Sequence, residues 1–219
     1  MPKPTRKERE FARRESEILD AAISLFSGPD WEQVTVEQIA KQAEIGKGTV
    51  YKHFSSKEEI HAKVAIEFNA QLLDIFKNLD LNQPVDAVLR EMIHVSFDLF
   101  LSNHAQARVE LCCSRLDFIA NLSPSLQKEF SDYEEKFDVF ISGILERGIE
   151  EGSIPRRPIA HLMVGMKATF NGAMTLIWSG DVIESEGMEL EEMVTIIGDY
   201  MVAGVIGLSP SLSNPSKTK

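Results

Sequence analysis

Residues 46–59 read GKGTVYKHFSSKEE and gather Lys47, Lys52, His53 and Lys57 around Gly46, Gly48, Thr49 and Tyr51. Ammonium, imidazole, hydroxyl and phenol groups are the donors that engage phosphate oxygens and base edges. Lys47 suits an acceptor on guanine or a phosphate, and Thr49 suits a base edge or a thymine methyl. Tyr51 and His53 can donate to phosphate oxygens, and Lys52 adds attraction for the same groups. Gly46 and Gly48 let a backbone approach a duplex where a larger side chain would obstruct it. Lys57 falls in the first turn of a following helix, beside free amides that also favour an anion. Any one of these lysines alone reads as a solvated charge. Their combination at this spacing reads as a surface for nucleic acid.

The elements that must hold them are helical. Apolar residues recur at three and four along the chain and strand-like alternation is almost missing, so the fold class is all-α. A first helix is expected over residues 8–26, with Ile18, Ala22, Leu25 and Phe26 inside, and SGPD stops it. VTVEQIAKQAE forms a second helix, which Thr35 and Gln38 start as a capping box. A turn at 44–46 leads to a brief third helix, and Ser56 caps a fourth that runs to about residue 79. Residues 35–54 thus make a helix-turn-helix, with Ala40, Ile45, Val50 and Phe54 as the small core beneath it. Further helices are expected over 84–101, 104–121, 124–151, 159–178 and 189–208. The expected domains are a flexible basic arm at 1–13, a reader at 14–60, a helical domain at 61–208 and a disordered tail at 209–219.

Bulk composition narrows the classes. The 219 residues carry net charge −11, yet residues 1–57 hold ten Lys+Arg against nine Asp+Glu, and the rest 13 against 25. The first 14 residues alone hold six bases and two acids. A basic end on an acidic chain is the asymmetry of a protein whose one end meets a polyanion. The start MPKPTRKERE lacks a secretory pattern and no apolar run is long enough to span a bilayer, so cytoplasmic residence is expected, with no membrane partner. No phosphate-cradling loop, nucleophile elbow or zinc triad is present, and His94, His104 and His161 are scattered singly. The chain is therefore expected to be no enzyme and to need neither cofactor nor metal.

Residues 35–59, TVEQIAKQAEIGKGTVYKHFSSKEE, resemble the DNA-binding domain of TetR-family transcriptional regulators. The pattern G-x-x-Y-x-H-F-x-x-K-E, from Gly48 to Glu58, carries most of that resemblance, which covers about residues 14–73. It implies Thr35, Lys47, Gly48, Thr49, Tyr51, Lys52, His53 and Lys57 as DNA contacts, with Gly46 beside them. It also implies a C-terminal helical domain that binds a small effector and dimerises. A homodimer suits the task, because two recognition helices must reach major grooves about 34 Å apart on a palindromic operator.

The remainder of the chain must supply that effector site and that interface. Treated as one helix, residues 104–121 place Arg108 and Arg115 on an apolar side with Leu111, Cys112, Leu116, Phe118 and Ile119. Two guanidiniums there need anionic partners. These are either internal acids, Asp98, Glu134 and Asp138, or the negative group of an apolar effector. The expected effector set is Phe97, Phe100, Arg108, Cys112, Arg115, Phe118, Lys167 and Asn171. Gly165, Ala168 and Gly172 form a small-residue strip on the next-to-last helix, and with Ile196 and Tyr200 they are the expected dimer interface. The function expected is a ligand-released, homodimeric repressor. Its alternatives are a thiol-based redox sensor using Cys112 and Cys113, and a non-specific architectural DNA binder.

Overall fold

The computed structural model describes residues 3–180 and 187–207. The expected tail at 209–219, the end of the last helix at Leu208 and most of the loop after Gly180 lie outside the described residues. All regular structure among the described residues is helical. The elements are α1 (Arg6–Phe26), a 3-10 turn (Trp31–Gln33), α2 (Val36–Gln42), α3 (Lys47–Val50), α4 (Lys57–Lys77) and α5 (Val85–Ser102). They continue with α6 (His104–Cys113), α7 (Leu116–Ile119), α8 (Pro124–Glu151), α9 (Ile159–Ser179) and α10 (Leu190–Ile206).

Two compact units result among the described residues, one from residues 3–73 with 99–134 and one from 74–98 with 135–180 and 187–207. This grouping does not follow a boundary at residue 60. The division falls inside α4, α5 and α8, because long helices carry the chain through both units.

The first unit is built on α1. A flexible arm over 1–13 was expected, but α1 already begins at Arg6. Thr5 Oγ1 accepts from the Glu8 amide, and the Glu8 carboxylate accepts in return from the Thr5 amide at 2.6 Å. That reciprocal cap satisfies donors a frayed start would leave free. Ile18, Ala22 and Phe26 are fully buried, with Ile39, Val50, Phe54 and Ile60 in the same cluster. Lys63 and Glu129 form an ion pair at 2.8 Å between α4 and α8.

The expected helix over 104–121 is broken. Ser114 ends α6, and Arg115 takes an extended ψ of 136° before the single turn of α7. Arg115 consequently leaves the apolar side on which a continuous helix would put it. Its guanidinium is exposed and donates to both Asp117 carboxylate oxygens, at 3.0 and 2.8 Å. Leu116 is likewise 84% exposed rather than packed. The break thus coincides with a bidentate pair to a carboxylate two residues away.

The second unit packs Val85, Leu89, Phe97, Leu145, Ile154 and Met174 into its interior. Gly148 is where α8 meets that interior most closely: a Cβ there would come within 2.6 Å of Ile154 and 3.0 Å of Val85. Arg147 donates to the carbonyls of Leu81 and Gln83, fastening the loop before α5. Arg90 pairs with Asp199 across α5 and α10. α9 and α10 pack on one another and bury Leu162, Met174, Met193 and Met201.

Candidate nucleic-acid interface

The turn between α2 and α3 ends α2 as a full Schellman motif. The Ile45 amide donates to the Ala40 carbonyl at 2.9 Å and the Glu44 amide to Lys41 at 3.1 Å. Glu44, with φ 55°, holds the left-handed position that glycine usually takes. The expected capping box is present: Gln38 Oε1 accepts from the Thr35 amide at 2.8 Å, and Thr35 Oγ1 accepts from the Gln38 amide at 3.3 Å. Gly46 caps α3, whose single turn continues through 2.9 Å bonds from the His53 and Phe54 amides to the Val50 carbonyl.

This backbone sorts the side chains. Val50 and Phe54 point into the core, while Lys47, Gly48, Tyr51 and Lys52 are exposed and Thr49 is half-exposed. Tyr51 stands 48% exposed, too open to be a core aromatic. Lys47 reaches Glu37 only loosely, at 3.5 Å between two solvent-exposed groups. Neither Gly46 nor Gly48 has positive φ, and a Cβ on Gly48 would meet open space. Nothing inside the chain demands glycine there.

Two expected contacts are placed differently from the rest. The Lys57 ammonium donates to the Glu32 carbonyl at 2.7 Å, so it braces the loop before α2. His53 lies under the ring of Phe11, with centroids 4.0 Å apart, and its Nδ1 is buried without a partner. Sequence reasoning missed Phe11, although it precedes Ile18 by seven residues and so shares its helical face.

Residues 18–64 match the family model described as bacterial regulatory proteins, tetR family. The chain belongs to the TetR family. It is 27% identical over 143 residues to the fatty acid metabolism regulator protein of Bacillus subtilis, spanning 63% of this chain and 69% of that one. It is 33% identical over 84 residues to the biofilm operon icaADBC HTH-type negative transcriptional regulator IcaR of Staphylococcus epidermidis, spanning 37% of this chain and 45% of that one. Its fold matches the crystal structure of Bacillus subtilis FadR in complex with stearoyl-CoA, with TM-score 0.65, 20% identity, and coverage of 89% and 99% of the two chains. This TetR-family chain is a DNA-binding transcriptional regulator and not an enzyme. No helix among the described residues is long and apolar enough to cross a membrane.

The TetR-family expectation of an effector pocket fares unevenly residue by residue. Phe97, Lys167 and Asn171 belong to the second unit, and Phe100, Arg108, Cys112, Arg115 and Phe118 to the first, so neither unit contains the whole set. Phe97 is buried against Phe170 at 4.9 Å, and Phe100 against Phe68 at 4.9 Å. Lys167 is exposed, and Arg115 is spent on Asp117. Arg108 is half-buried with a buried, unpartnered Nε and a 3.4 Å approach to His104 Nδ1. Among the described residues it has no carboxylate partner. Asp98 faces His94 at 3.4 Å instead.

The reader's core also holds a titratable group. His61 is buried between Phe26 and Trp31, at 4.7 and 6.0 Å, with its Nε2 unpartnered. Burial, then the charge of Lys57, lowers its pKa to about 4. Its folded pKa is thus depressed, so stability is fully present above the ordinary histidine value and is lost as pH falls from about 6.5 to about 4. Between those limits the loss amounts to about 3 kcal/mol. Urea unfolding across that range checks this, and His61→Leu should flatten the acid limb of the profile.

Proposed function

We propose that the chain acts as a homodimeric repressor that reads a palindromic operator with Lys47, Thr49, Tyr51 and Lys52 and leaves it when an effector binds. The observation that carries this reading is the division at α3, where Val50 and Phe54 are sealed in the core while donors at 47, 49, 51 and 52 stand in solvent. Gly48, free of any packing demand, gives a backbone an unobstructed approach to a groove. Thr35, Gly46 and His53 flank the same surface.

The proposed effector has a long apolar body and a negative group, as a fatty acyl thioester of coenzyme A does. The Bacillus subtilis relative is named a fatty acid metabolism regulator, and the FadR structure holds stearoyl-CoA. Arg108, half-buried and without an internal carboxylate partner among the described residues, is the guanidinium suited to the anion. The thiol reading loses support, because burial raises the pKa of both Cys112 and Cys113 and the thiolate is the reactive form. The architectural reading is disfavoured by the acidic bulk of the chain.

Effector and DNA must oppose one another by equal factors. Stearoyl-CoA titrated into the full chain, with and without an operator duplex, should bind roughly tenfold or more tightly to the DNA-free protein. Equal affinity in the two titrations defeats this effector assignment and leaves DNA reading by α3 intact.

A further inference from the structure

We propose that the first turns of α1 are a second DNA-binding surface, clipped to the recognition helix by the Phe11–His53 ring contact and directed at backbone phosphates flanking the groove α3 enters. This rests on the reading of α3 as the element that meets DNA.

One ring on α1 is out of place. Phe11 is 47% exposed, on a stretch otherwise lined with charge, yet its ring lies 4.0 Å from that of His53 with an interplanar angle of 31°. An aromatic left half in water contributes little to the core. What it does is tie the start of α1 to the residue that closes the recognition turn.

Helical spacing says what else that face carries. Lys7, Phe11, Arg14 and Ile18 recur at intervals of four, three and four, so they lie along one side of α1. Ile18 is fully buried, Arg14 is half-buried and pairs with Glu17, and Phe11 covers His53. The next position outward along that face of α1 is Lys7. Lys3 lies one further turn along, before the Thr5 cap.

The cations differ in how far they are committed. Arg13 and Arg14 both pair with Glu17, and Arg9 donates to the Pro4 carbonyl. Lys3, Arg6 and Lys7 are exposed and make no ion pair among the described residues. Of the two acids in these turns, Glu8 is spent on the Thr5 amide and Glu10 is exposed, so cations outnumber acids there. Two free cations on a capped, anchored helix and a third just before its cap, tied through Phe11 and His53 to the surface that presents Lys47, Tyr51 and Lys52, match the charge of a duplex backbone. They cannot read bases from there. Their contribution is affinity and register rather than sequence choice.

The test uses the full chain and a duplex that the wild type enriches from a random-sequence pool, made in two lengths. One ends at the last enriched base pair, and the other extends about one helical turn, roughly 10 bp, beyond it on each side. The variant is Lys3→Ala/Arg6→Ala/Lys7→Ala, whose exposed positions leave the melting temperature unchanged. On the long duplex its log affinity against log salt should be shallower by about 2 to 3 than the wild type's, one phosphate contact being worth about 0.9. On the short duplex the two proteins should bind alike. Phe11→Ala, with all three cations kept, should lower affinity for the long duplex in the same direction, and Phe11→Tyr should restore it. Indistinguishable slopes on the long duplex overturn the proposal, as does an equal loss at both lengths. A wild-type chain that enriches no duplex at all overturns the reading of α3 first and this one with it.

Discussion

Lys47→Ala/Tyr51→Ala should release the protein from operator DNA at physiological salt and leave its folding stability unchanged. Both side chains stand in solvent, Lys47 with only a loose 3.5 Å approach to Glu37 and Tyr51 about half exposed. Their removal opens no cavity and orphans no buried group, so unfolding should move by less than about 0.5 kcal/mol. Against DNA each is worth about 1–2 kcal/mol, and the pair about 2–4, a loss of roughly 30- to 1,000-fold. Fluorescence anisotropy with a labelled operator, beside thermal melting, separates the two quantities. Unaltered operator retention by a folded variant would remove α3 from the interface.

The second large effect concerns assembly. α9 exposes Val164, Gly165, Ala168, Gly172 and Leu176, and α10 exposes Ile196 and Tyr200, the last at 71%. Large apolar side chains standing in water beside a strip of small residues form a patch that a single chain leaves uncovered. In the homodimer proposed above, a second copy of the chain would cover it by two-fold symmetry, with the same patch on each side. Ala168→Glu/Ile196→Glu buries four carboxylates in such an interface and should convert the dimer to a monomer by light scattering. Affinity for a palindromic operator should then fall to that for a lone half-site, about 100-fold or more, because linked modules gain about 10²–10⁴ over single ones. A variant that stays dimeric would move the interface elsewhere.

How much of this was legible in the sequence differs by region, for physical reasons. The reader was legible because its signals are local. A capping box at Thr35, a turn at 44–46 and apolar residues at 40, 45, 50 and 54 each act within a few positions. The start of α1 was misjudged because charge density outweighed the Thr5–Glu8 cap, which shows in sequence only as T-x-x-E. The break at Arg115 was illegible to a helical wheel, which assumes continuity and cannot register the two-bond pairing with Asp117. Half of the expected effector set depended on that wheel. The strip Gly165, Ala168 and Gly172 is legible from its spacing, whereas Val164 and Leu176 gain meaning only once their exposure is known. The Phe11–His53 contact joins residues 42 positions apart, beyond any local pattern.

The brevity of α3 has a consequence for genetics. One turn of helix does not persist on its own in water. The reading surface therefore exists only while Val50 and Phe54 stay anchored to Ile18, Phe26 and Ile39 beneath them. A screen for bacteria that have lost silencing of a target promoter would thus collect lesions at Phe26 and Ile39 as readily as at Lys47, and a phenotype alone would not tell a broken anchor from a missing contact.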